Sequence, residues 1–341
     1  MTAPLIEPTP RGLYCRAGDF YLDPSRPVAR AVITHGHSDH AFPGHGAYLC
    51  AEPGVAILRQ RLGARASIAG LSYGTSRDCG GVRISLHPAG HILGSAQVRL
   101  EHRGEVWVCS GDYKLDSDPT CAPFEPVRCH TFITESTFGL PVYRWPRPAL
   151  VAAQINGWWR GNRAAGVSSL LFAYSLGKAQ RILASIDPSL GPILAHPSIL
   201  QFYPAYETAG VALPAVDPAT ADRVRAASGR ALVLVPPAAA ESLAGWDPGP
   251  AALGCASGWM LLRAARRRGG FDGGFVLSDH ADWPGLQSAI AATGAEQVLV
   301  THGCAAPVAR WLCETGRHAR LLETASDWHS ADDEPIPPGN D

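Results

Sequence analysis

The stretch AVITHGHSDHAFPGH, residues 31–45, constrains this chain more than any other. Within six positions it carries His35, His37, Asp39 and His40, directly after the apolar run Ala31-Val32-Ile33. A strand that ends in a tight turn can point alternate residues the same way, so His35 and His37 can reach one ion. Asp39 and His40 then reach a different point. Imidazole nitrogen and carboxylate oxygen suit zinc, manganese or iron(II).

The remaining text limits what such a site serves. With 341 residues, 46% hydrophobic and 17% charged, the chain is globular and long enough for two modest domains or one large one. A net charge of −1 provides no global field for polyanions, so nucleic-acid affinity has to come from a local patch. Only two of the 29 basic residues are lysines, Lys114 and Lys178, and both lie beside motifs. The first residues, MTAPLIEPTPRG, have no apolar core, so no signal peptide is expected, and no run of about 18 apolar residues predicts a membrane span. Nine scattered cysteines without a C-x-x-C pair predict a reduced, cytoplasmic protein.

Up to about Glu135 short apolar runs alternate with turn residues, which predicts sheets, a hairpin turn at Arg103-Gly104 and one helix from Glu52 to about Leu62. From about Trp145 strands alternate with helices, as in a parallel sheet with crossover connections. After Arg268 the segments GFVLSDH, WPGLQSAIAATG and EQVLVTHG predict a closing strand, helix and strand. The tail SADDEPIPPGND is acidic and proline-rich.

Further donors follow the opening cluster. HPAGHILGSAQ supplies His91 in a glycine-flanked loop, with His87 as a competitor. VCSGDYK places Asp112 at the end of an apolar strand, where a carboxylate can bridge two ions, and VLVTHGC places His302 likewise. Each repeats one pattern of apolar strand, small residue and donor.

HGHSDH, followed by a loop histidine, a strand-end aspartate and a strand-end histidine, resembles the metallo-β-lactamase superfamily. ITEST, LSDHAD and VTHG resemble motifs A, B and C of its β-CASP nucleic-acid nucleases. HPAGHILGSAQ, SGDYK, ESTFG, AYSLGKAQR and ASGWM are most similar to the bacterial ligase-associated DNA exonucleases. The resemblance runs from about residue 10 to about residue 325. It implies an α/β protein: a metallo-β-lactamase αββα sandwich with an inserted α/β parallel-sheet β-CASP cap. The implied domains are 1–144 and 263–329 for the sandwich, 145–262 for the cap and 330–341 for a flexible acidic tail.

The resemblance also implies roles. His35, His37 and His91 hold one divalent ion, Asp39, His40 and His302 a second, and Asp112 both; zinc and manganese are equally acceptable. Asp39 counts among the catalytic groups with Glu135 and His280, the pair in which the histidine protonates the leaving oxygen. On the residues alone, Glu135 reads equally as a turn or cap acid and His280 as a helix N-terminal polar residue. Lys178 behind Gly177, Ser257, and Arg266 and Arg267 in the run RAARRR are expected substrate contacts. An exposed lysine and a solvated helix end are the alternative readings of Lys178 and the arginines.

The implied activity is a two-metal DNA exonuclease that acts on single strands or DNA ends. The implied context is repair, in functional association with an ATP-dependent DNA ligase and a helicase. An RNA-processing β-CASP ribonuclease is the alternative that His302 favours, because β-CASP RNA enzymes carry a histidine there. A small-molecule metallo-hydrolase fits the cap and the Glu135/His280 pair less well. A metal-free scaffold fits the intact donor set least.

Overall fold

The computed structural model describes residues 4–243, 246 and 249–322; the tail at 330–341 lies outside them. The described chain forms two compact units, residues 4–144 with 279–322, and residues 145–278.

The first unit is built on two sheets. One has six strands in the order Glu7–Thr9, Gly12–Cys15, Phe20–Leu22, Arg30–Val32, Ala47–Ala51 and Ile68–Leu71. The other has seven, in the order His318–Leu321, Gln297–Val300, Thr131–Thr134, Glu105–Cys109, Ala96–His102, Val82–Pro88 and Ser76–Cys79. Successive strand residues face opposite ways, and both faces here are apolar. Val32, Leu22 and Leu49 meet Ile84, Val98 and Ile133 between the sheets. Their strand neighbours Ala31 and Ile33 face outward, onto Leu58 of the helix Val55–Leu62. Phe132, Val298 and Val300 face outward from the other sheet. They pack onto Ile290 of the helix Trp283–Thr293 and onto Val308 and Leu312 of the helix Ala305–Glu314. Helix, sheet, sheet and helix thus stack as the expected αββα sandwich, each buried Leu or Ile contributing about 1.5–3 kcal/mol.

The hairpin turn falls where its residues predict it. Arg103 and Gly104 take φ of 51° and 84°, the left-handed pair that a two-residue turn between twisted strands requires. The helix expected from Glu52 begins as a 3-10 turn, Glu52–Gly54, and becomes α-helical over Val55–Leu62.

The second unit holds an all-parallel sheet in the order Asp217–Pro218, Ile193–Ala195, Leu232–Val235, Ser168–Phe172, Ala251–Ser257 and Gly273–Val276. Its central strand LVLV is buried throughout, as a sheet covered on both faces demands. Leu232 and Leu234 pack on one side, with Val151, Ile155 and Trp159 of the helix Pro148–Ala164. Val233 and Val235 pack on the other, with Val224.

One boundary differs from the sequence reading, which returned the chain to the sandwich at residue 263. The strand Gly273–Val276 pairs in parallel with Ala251–Ser257, so the second unit extends to residue 278. Among the described residues no helix is long and apolar enough to cross a membrane.

Gly94 has φ of 77°, and a Cβ there would overlap the backbone of Gly54. Gly94→Ala is therefore expected to lower stability by at least about 1–3 kcal/mol, read from urea unfolding; an unchanged midpoint would contradict this close approach.

Candidate metal centre

Three parallel neighbours carry three of the expected site residues to one end of the sheet. Cys109 pairs with Ile133, and Thr134 with Val300, so Asp112, Glu135 and His302 leave adjacent strand ends. Pro88 pairs with Ala96, and Val98 with Cys109, which brings the His91 loop to the same end. The Thr34 carbonyl accepts from Ala96 N–H at 2.8 Å and fastens the His35 turn beside them.

The imidazoles converge nitrogen to nitrogen. His37 Nδ1 lies 3.1 Å from His35 Nε2 and 3.0 Å from His91 Nε2. A tetrahedral ion with bonds of about 2.0–2.1 Å needs nitrogens about 3.3 Å apart, close to this spacing. Asp112 Oδ2 is 3.5 Å from His35 Nε2, 3.9 Å from His91 Nε2 and 3.5 Å from His40 Nε2, so one oxygen faces both histidine groups. His35, His37, His91 and Asp112 form one group able to hold an ion, and His35, Asp39 and His40 another. His302 is in neither group; its ring stacks 6.0 Å from that of His40. His87 takes no part: its Nε2 is 3.1 Å from Ser85 Oγ.

Hydrogen bonds set the tautomers. His91 Nδ1–H donates to the Asp279 carbonyl at 2.7 Å, which leaves the Nε2 lone pair facing His37. His40 Nδ1–H donates to Asp23 Oδ2 at 2.7 Å. Thr34 donates its hydroxyl to Asp23 at 2.6 Å and accepts from His35 Nδ1 at 3.1 Å. Asp23 also accepts from Thr34 N–H at 2.7 Å.

The electrostatics suit a cation. Burial, with the neighbouring imidazoles, holds His35 and His91 well below the usual histidine range, as neutral donors. Burial alone would lower His40 and raise Asp112. Asp39, Asp112 and Asp23 instead lift His40 well above its usual value, and His40, His280 and His35 hold Asp112 well below its own. The carboxylates thus call for positive charge between them, which a divalent cation supplies while leaving the imidazole neutral. Asp39 Oδ1 is buried without a hydrogen-bond partner among the described residues. The donor set therefore fits a metal.

Glu135 lies alongside. His280 Nδ1 is 3.0 and 3.1 Å from its two oxygens. Tyr113 N–H donates to Oε1 at 3.0 Å, and the Thr137 hydroxyl to Oε2 at 2.6 Å. His302 sits in the left-handed region, φ 58°, with the Ser136 hydroxyl against its carbonyl and that of Thr301. Such backbone costs about 1–3 kcal/mol and persists where its surroundings hold it.

The expected substrate contacts belong to the second unit. Lys178 is 1% exposed, with its ammonium 4.8 Å from the centre of the Tyr174 ring. Gly177 N–H donates to Gln180 Oε1 at 2.8 Å. Ser257 accepts from Trp259 N–H at 3.1 Å. Arg266 and Arg267 are exposed on the helix Arg263–Arg268, and Arg266 Nε donates to the Met260 carbonyl. Asp23, Thr34 and Ser136 are functional candidates that sequence reasoning missed. Their signal was faint: Asp23 precedes the histidine cluster by one strand, and Ser136 lies inside ITEST.

No family model matches the chain. It is 35% identical over 315 residues to a Probable DNA ligase of Opitutus terrae, an alignment that covers 90% of this chain and 30% of that protein. It is 30% identical over 152 residues to Endoribonuclease ysh-1 of Neurospora crassa, covering 42% of this chain and 17% of that protein. Against Endoribonuclease YSH1 of Saccharomyces cerevisiae it is 30% identical over 122 residues, 34% of this chain and 15% of that protein. The chain spans less than a third of the length of these curated relatives. A solved Enterococcus faecalis protein of unknown function shares the fold, with a TM-score of 0.60, 12% identity, and coverage of 87% of this chain and 80% of that one. The two-sheet unit, the parallel-sheet unit and the donor set match the architecture that the sequence resemblance implied.

Replacing Asp23 by asparagine removes the carboxylate that orients His40. Metal affinity in a chelator-competition titration is expected to fall by about 10–100-fold, and an affinity within about twofold of the parent would contradict that role.

Proposed function

We propose that this chain is a two-metal phosphodiester hydrolase that shortens DNA from its ends. The observation that carries the reading is Asp112 Oδ2 set between two histidine groups, beside the buried Glu135–His280 pair. His35, His37 and His91 would hold one ion, Asp39, His40 and His302 the other, with Asp112 shared. Two ions held there supply charge that stabilises the attacking and leaving oxygens of an in-line displacement, and zinc and manganese both suit these donors.

The chain's own residues do the rest. Glu135 fixes the ring of His280 through Nδ1, and His280 Nε2 delivers a proton to the departing oxygen. Asp39 joins the catalytic set through its buried carboxylate. Lys178, Ser257, Arg266 and Arg267 are assigned to the nucleic-acid backbone, and of these the two arginines are exposed. The domain identities follow the same reading: the sandwich carries the metals, and the parallel-sheet unit is the cap. The ligase name of the Opitutus terrae relative supports repair alongside an ATP-dependent DNA ligase. Cleavage of RNA is the second reading, favoured by similarity to the two endoribonucleases.

End-labelled DNA and RNA strands of identical sequence, with zinc or manganese and a His35→Ala control, separate the two. Stepwise shortening of DNA with RNA intact is expected; preferential RNA cleavage would move the chain to RNA processing. His280→Ala is expected to keep its metal and lose about 10²–10⁴-fold in kcat, and a loss of bound metal would make His280 a ligand instead.

A further inference from the structure

Lys114 is one of only two lysines in the chain, and the reading above gives it no task. It is 1% exposed, a burial that lysine tolerates only when paired. Its ammonium donates to Asp118 Oδ2 at 2.6 Å and to the His91 carbonyl at 3.4 Å, and lies 3.9 Å from Asp279 Oδ1. Asp118 is itself oriented, its Oδ1 accepting from Thr120 N–H at 2.9 Å and the Thr120 hydroxyl at 2.6 Å.

The backbone around Lys114 is equally tied. Lys114 N–H donates to the Ala89 carbonyl at 3.1 Å, and a Cβ on Gly90 would overlap the Lys114 carbonyl. Ala281 N–H donates to the Tyr113 carbonyl at 2.7 Å, and His91 Nδ1–H to the Asp279 carbonyl at 2.7 Å. Residues 89–91, 113–114 and 279–281 are therefore tied to one another, with the ammonium against His91 and Asp279.

We propose that Lys114 is a positioning residue that locks the His91 loop to the Asp279–His280 turn. One buried cation then sets a metal donor and the proton donor together. The proposal rests on the roles given above to His91 and His280. The ammonium balances the buried carboxylates of Asp118 and Asp279. Without it the Asp279 turn loses this counter-charge, its carbonyl no longer fixes His91 Nδ1, and His280 shifts with it.

Lys114→Met alone takes the ammonium from the buried Asp118 carboxylate and destabilises the fold for a merely structural reason. The informative variant is Lys114→Met/Asp118→Asn, which removes the pair together. With its melting temperature close to the parent's, zinc affinity is expected to fall about 10–100-fold. At saturating metal, kcat is expected to fall at least about tenfold with KM unchanged. Parental values of either quantity in the folded double variant would overturn the proposal. Lys114→Arg, which keeps the cation, is the second variant. Its zinc affinity should exceed the double variant's by about tenfold, and an equal loss would also overturn the proposal. Zinc affinity is read without substrate. A parent protein that takes up metal yet cuts no nucleic acid would sink the nuclease reading and leave Lys114 to be judged on affinity alone.

Discussion

One carboxylate oxygen, Asp112 Oδ2, stands 3.5 Å from imidazole nitrogens of His35 and of His40. The rings around it are arranged to keep it there. An ionised carboxylate resists burial unless it is compensated, and here His40, His280 and His35 overcome that penalty and hold Asp112 ionised. The imidazoles of the donor set are tied from behind, His40 by Asp23, His35 by Thr34 and His91 by the Asp279 carbonyl. Each ring is thus held at one nitrogen and presents the other. Outer partners of this kind orient each ring and fix which nitrogen faces the site.

The fold serves that arrangement economically. Parallel pairing of Glu105–Cys109, Thr131–Thr134 and Gln297–Val300 delivers Asp112, Glu135 and His302 from three distant stretches to one sheet end. Both faces of these strands are apolar, so helices must cover the outer face while the second sheet covers the inner. Polar chemistry is left to the strand ends, where the chain turns and donors can converge. His302 illustrates the cost, since its left-handed backbone is retained at the site with Ser136 against its carbonyl.

Much of this was legible in the sequence wherever the signal was local. The spacing of His35, His37, Asp39 and His40 announced convergence, and Arg103-Gly104 announced a hairpin. The outer partners were not legible. Asp23 reaches His40 across 17 positions, and His91 meets Asp279 across 188. Lys114 stood out by rarity, yet neither Asp118 nor Asp279 was marked as its partner. The strand Gly273–Val276 was recognised but given to the wrong sheet, because an apolar run does not say which neighbour it will pair with. The helix Ala305–Glu314 went unread between two glycine-marked turns.

The most direct measurement is anomalous X-ray diffraction on crystals grown with zinc, recorded on both sides of the zinc absorption edge. The expected result is two peaks in each molecule, one among His35, His37 and His91 and the other beside Asp39 and His40, with Asp112 between them. A single peak, or peaks away from these side chains, would contradict the shared two-metal centre.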